Sequence, residues 1–155
     1  MWNALNSIRS LIPILRREPR PTSRIAILSV IRNLPDRLLL DEISRRNGWD
    51  MVFALTNAEA QDLLKQLRPQ IILLDREIQG QDWRQAVSSL TAASGGACVL
   101  LVSRVIDDYL WNEVVMNGGY DVLRAPLSEA DVLRNVRLAW SYWNGTRPVT
   151  PAATK

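Results

Sequence analysis

Asp75 follows an unbroken branched run, Ile71-Ile72-Leu73-Leu74. Four such residues without polar alternation predict a strand buried on both faces. The carboxylate therefore stands where a buried strand emerges, partly desolvated yet reachable. An aspartate so placed can serve as a nucleophile, ligate a metal or cap the following loop. Ser103 ends a second apolar run, Ala97-Cys98-Val99-Leu100-Leu101-Val102. Its hydroxyl could donate to an oxyanion held at Asp75, or simply finish a strand in a polar residue.

The elements that must position these two residues follow from periodicity. A first short strand is predicted over 25–30, and a helix over 34–46 that stops at Asn47-Gly48. A second strand covers 51–55. Thr56 with Glu59 three residues on forms a capping box for a helix whose apolar face is Ala60, Leu63, Leu64 and Leu67. After the 71–75 strand come a helix over 82–90, a small-residue loop over 91–96 and the 97–103 strand. A helix over 107–117 stops at Gly118-Gly119, and a fifth strand spans 120–124 before Ala125-Pro126. Ser128 caps a last helix from Glu129 to about Trp143. Five strands alternating with five helices, the central strands buried on both faces, predict a doubly wound α/β domain with a parallel sheet. Reactive groups in such sheets lie beyond the carboxyl ends of the strands, which puts Asp75, Ser103 and Ala125 on one rim.

The chain has 155 residues, 47% hydrophobic and 23% charged, enough for one domain with its own core. Three segments are expected: a basic arm over 1–23, a domain over 24–143 and a disordered tail over 144–155. The net charge is +3, but residues 1–24 hold five Arg against Glu18, a balance of +4. The rest is therefore 3 − 4 = −1. A basic excess confined to an arm argues against nucleic acid as partner. No apolar run approaches the roughly 20 residues that cross a bilayer. The lone Cys98, inside an apolar strand, is expected to be inert core in a reducing, cytoplasmic compartment.

The ordered set of motifs resembles the receiver domain of bacterial response regulators over about residues 24–143. The residues that carry the resemblance are 71–75 with Gly80 after them, Val99 to Ser103, Gly118-Gly119-Tyr120-Asp121-Val122-Leu123, and Pro126. Trp83, Leu110-Trp111 and Leu138-Ala139-Trp140 are similar to short single-domain receiver-like proteins. The resemblance implies a flavodoxin-like (βα)5 sheet of strand order 2-1-3-4-5. It implies that Asp75 is the phospho-acceptor for a histidine kinase or phosphotransfer protein, that Ser103 contacts the phosphoryl group, and that Mg²⁺ assists. It also implies a protein that is not an enzyme but binds other proteins. A partner or second copy would dock on the fourth helix, fifth strand and fifth helix.

Much of the receiver apparatus is altered. Where receivers carry an acidic pair for Mg²⁺, this chain has Val30, Ile31 and Arg32, so the metal lacks its usual ligands. Asp36, the nearest carboxylate, is expected inside the first helix and pointing away. Ala125 stands where receivers place a lysine, and Arg124 beside it should face the other side of its strand. Val122 takes the place of the usual aromatic, with Tyr120 expected on the same face. Slow or absent phosphotransfer follows. Arg32 could pair directly with Asp75 or point to solvent, the second being expected.

Core packing is expected for Trp111 and Trp140, and Tyr142 with Trp143 could extend an apolar patch. In the arm, Trp2, Leu5, Ile8, Ile12 and Leu15 form an apolar stripe interrupted by Pro13. Residues 2–17 could lie on a membrane surface or fold back on the domain. One alternative function is a phosphate-independent pseudo-receiver scaffold held at a membrane by this arm. Another is a small flavodoxin-like nucleotide- or flavin-binding protein, disfavoured because no glycine-rich loop follows the first strand and the chain has no His.

Overall fold

The computed structural model describes residues 24–78 and 81–146. The arm over 1–23, Gly80 and the end of the tail over 147–155 lie outside the described residues.

The ten elements are β1 (Ala26–Val30), α1 (Leu34–Asn47), β2 (Asp50–Ala54), α2 (Asn57–Leu63), β3 (Ile71–Asp75), α3 (Trp83–Ala93), β4 (Cys98–Ser103), α4 (Asp108–Met116), β5 (Asp121–Arg124) and α5 (Glu129–Thr146). All strand pairs are parallel and the sheet order is β2-β1-β3-β4-β5. This is the doubly wound architecture that the alternation predicts, in the flavodoxin-like order that the resemblance implies.

The sheet divides two apolar layers by strand parity. Leu28, Val30, Ile72, Leu74, Val99 and Leu101 face α2, α3 and α4. Ile27, Ile31, Ile71, Leu73, Leu100 and Val102 face α1 and α5. Residues Ile71 to Leu74 are all fully buried, which accounts for a run with no polar alternation. At about 25 cal/mol per Å² of buried apolar surface, this double-sided packing is the main stabilising term.

Local signals set the helix limits. Gly48 ends α1 at φ 71°, in the left-handed region, where its N–H reaches the Ser44 carbonyl. Thr56 Oγ1 accepts the Glu59 N–H at 3.1 Å, while Glu59 reaches back to the N–H of Leu55 at 2.8 Å. Ser128 Oγ accepts the Asp131 N–H at 3.3 Å at the start of α5.

Several expectations need correction. Helix α3 runs to Ala93, past the predicted end at 90, with the Ser94 N–H still bonded to the Leu90 carbonyl. Helix α5 runs to Thr146, past the predicted domain limit at 143. Trp111 is 45% exposed and is not core. Its neighbours Leu110 and Val114 fill the buried face of that helix instead. Trp140 does pack against the core.

Candidate functional site

The sheet order reverses direction between β1 and β3, so the chain opens a crevice beyond their carboxyl ends. A cavity of roughly 200 Å³ lies there. Asn33 and Asp36 reach it from the start of α1, and Asp75, Arg76 and Glu77 from the end of β3. Ser103, Arg104 and Ala125 close it from the ends of β4 and β5.

Asp75 is the half-buried last residue of β3, in register with Val102 of β4. One carboxylate oxygen accepts the Glu77 N–H at 2.9 Å, a tight turn that fixes the side chain over the cavity. Burial pushes its pKa above the ordinary carboxylate value. The Glu77 and Asp36 carboxylates add to that rise, while the Glu77 N–H and Arg104 oppose it.

Ser103 shares this rim but is already engaged. Its hydroxyl donates to the Val105 carbonyl at 2.7 Å and accepts the Val105 N–H at 3.2 Å. Arg76 Nη1 also donates to it at 3.3 Å. The side chain is 3% exposed, so an incoming group would have to displace one of these bonds.

Asp36 does not point away. Asn33 Oδ1 accepts the Asp36 N–H at 3.0 Å, and this cap places Asp36 in the first turn of α1 on its inner face. There it is 7% exposed and accepts the Leu127 N–H at 3.1 Å. Arg32 is exposed, forms no ion pair with Asp75 and does not line the cavity. The solvent-facing alternative therefore holds.

Val30 and Ile31 are fully buried core residues, and Ala125 contributes only a methyl group to the cavity wall. Arg124 is exposed and lies off the cavity. Tyr120 does not share a face with Val122. It precedes β5, packs in the α1/α5 layer and meets Tyr142 at 5.1 Å, while Val122 faces α4.

Four cavity residues went unassigned in the sequence: Asn33, Arg76, Glu77 and Arg104. Their signal was adjacency. Arg76, Glu77 and Arg104 lie within two residues of Asp75 or Ser103 on the predicted rim, and Asn33 is the N-cap of α1.

The acidic pair that usually holds Mg²⁺ in receivers is absent, which leaves Asp36 and Asp75 as the carboxylates that could hold one. Asp36 and Asp75 each spend an oxygen on a backbone N–H. Among the described residues no three His, Cys, Asp or Glu side chains converge as metal ligands.

No family model matches the chain, and no curated protein does. Solved structures match closely in shape. A two-component response regulator from Clostridium difficile superposes with a TM-score of 0.71 at 16% identity, covering 78% of this chain and 99% of its own. This chain has the response-regulator receiver fold. Chemotaxis protein CheY4 of Vibrio cholerae gives 0.69 at 14% identity, over 75% of this chain and 98% of its own. The receiver domain of a sensor histidine kinase from Pseudomonas aeruginosa, which holds magnesium in its cleft, gives 0.65 at 18%, over 79% and 99%. On this fold, the rim that carries Asp75 and Ser103 also carries Arg76 and Arg104, while Val30 and Ile31 are core and Ala125 is cavity wall.

Proposed function

We propose that this chain is a receiver-like module of two-component signalling, acting by contact with other proteins, with Asp75 as its phospho-acceptor. The observation that carries this reading is Asp75 itself: a half-buried carboxylate at the end of β3, facing a cavity that also holds the Ser103 side chain.

In the transfer step an Asp75 oxygen attacks the phosphorus of an acyl phosphate or a phosphohistidine. The bond from phosphorus to the donor breaks, and the donor keeps the electron pair. The acyl phosphate formed on Asp75 carries about −1.5 to −2 charge where the carboxylate carried about −1, beside Asp36 and Glu77. Arg76 and Arg104 are the groups that offset it. With carboxylates this close and no acidic pair for Mg²⁺, transfer is slow.

A second reading is favoured by Val30, Ile31 and Ala125: a pseudo-receiver scaffold that needs no phosphate. A flavin or nucleotide fits poorly, because ligand pockets for such molecules run to about 300–1,000 Å³, against roughly 200 Å³ here. Protein contact is supported by exposed apolar side chains on α4 and α5, among them Tyr109, Met116, Leu138 and Tyr142. We place the protein in the cytoplasm as a binding module without enzymatic activity. Among the described residues no helix is long and apolar enough to cross a membrane. A membrane role for 2–17 rests on the arm's sequence alone.

The test is acyl phosphate with and without Mg²⁺, read by intact mass and by NMR shifts at Asp75 and Ser103. Slow modification, abolished by Asp75→Asn, is expected. Modification that persists in that variant would overturn Asp75 as acceptor, and none at all would favour the scaffold reading.

A further inference from the structure

Arg76 follows Asp75 directly, and its guanidinium lies against the cavity wall. One nitrogen reaches Ser103 Oγ at 3.3 Å, and the guanidinium carbon sits 5.8 Å from the Trp83 ring centroid. Among the described residues Arg76 makes no ion pair. A group with five donors is thus held by one long hydrogen bond and a ring face. It lines the same cavity as Asp75.

Trp83 connects this arginine to the opposite side of α3. The ring is 6% exposed, and Arg84 covers it with its guanidinium carbon 4.5 Å from the centroid. Arg84 pairs with Glu113 of α4. Glu113 also takes a hydrogen bond from Tyr109, and both bonds hold its carboxyl below the usual range. Tyr109 is 68% exposed. Contacts therefore run without a gap from Ser103 through Arg76, Trp83, Arg84 and Glu113 to an exposed tyrosine.

The β5 route from the cavity carries nothing comparable, because Val122 is aliphatic and Tyr120 lies in the other layer. Arg104 is exposed. We propose that Arg76 is the positioning residue that senses the charge at Asp75, and that its stack on Trp83 passes that state to the Tyr109 face of α4. This rests on Asp75 being the regulated carboxylate. A more negative Asp75 draws the guanidinium inward and loosens Trp83, and a neutral one releases it onto the ring.

The experiment is a charge cycle on the full chain, read at the Trp83 indole N–H by NMR and assigned with Trp83→Phe. Asp75→Asn is compared in the Arg76 and Arg76→Gln backgrounds. The expected result is a Trp83 shift, with a matching change at Tyr109, that falls several-fold without Arg76. A Trp83 shift of equal size in both backgrounds, or none in either, overturns the proposal. If Arg76→Gln fails to fold, Arg76→Lys serves instead, since lysine keeps the charge but lacks the planar stack. The same several-fold fall is then expected. Failure of acyl phosphate to modify Asp75 would count against Asp75 as phospho-acceptor, while the charge cycle still decides the role of Arg76.

Discussion

Asp36 Oδ1 accepts the backbone N–H of Leu127 at 3.1 Å, joining residues 91 positions apart. The bond ties the first turn of α1 to the loop between β5 and α5, across the mouth of the cavity. It gives a carboxylate that shares the cavity with Asp75 a structural role.

Asp36→Ala leaves the buried Leu127 N–H without an acceptor, at a cost of about 1–3 kcal/mol. Asp36→Asn keeps an acceptor oxygen and should lose much less. It also removes a charge that raises the Asp75 pKa, so that pKa should fall. Urea unfolding checks the first effect and an NMR titration of Asp75 the second. Equal losses for both variants would show that the hydrogen bond is not the cause.

Asp75 itself should cost stability at neutral pH. Its folded pKa lies above the unfolded value near 3.8, chiefly through burial. The favourable contribution of such a group is complete below the unfolded pKa and lost as pH rises through the folded one. Asp75→Asn should therefore raise Tm by a few degrees at pH 7, and the gain should vanish toward about pH 4. A gain that stays constant with pH would point to some other effect of the substitution.

Gly119 is required for space. A Cβ there would lie 2.5 Å from Val114 Cγ1, 3.0 Å from the Val114 carbonyl oxygen and 3.2 Å from Val87 Cγ1. Gly119→Ala must push apart the end of α4 and the α3 face, at about 1–3 kcal/mol. Chemical denaturation measures this directly, and an unchanged midpoint would mean the backbone yields freely.

Cys98 should be unreactive while the fold holds. Burial pushes its thiol up to about 11, and Sγ lies 3.5 Å from the Ala139 carbonyl. A disulfide reagent at pH 8 should label it only as the protein unfolds. Fast labelling of native protein would mean that β4 or α5 opens readily.

Residue pattern alone dictates the sheet and the rim. Runs such as 71–74 and 98–102 admit little but doubly buried parallel strands, and strand ends carry Asp75 and Ser103 to one edge. The losses at Val30, Ile31 and Ala125 were equally legible, because they depend on residue type alone. Tertiary structure decided which charges fill the gap. Asp36 turns inward only because Asn33 caps α1 and the distant Leu127 offers an N–H. Arg32 and Arg76 are both arginines next to strand ends, yet one faces solvent and the other packs on Trp83. Local sequence places such residues on the rim, but long side chains choose direction by the partners that the folded chain brings to them.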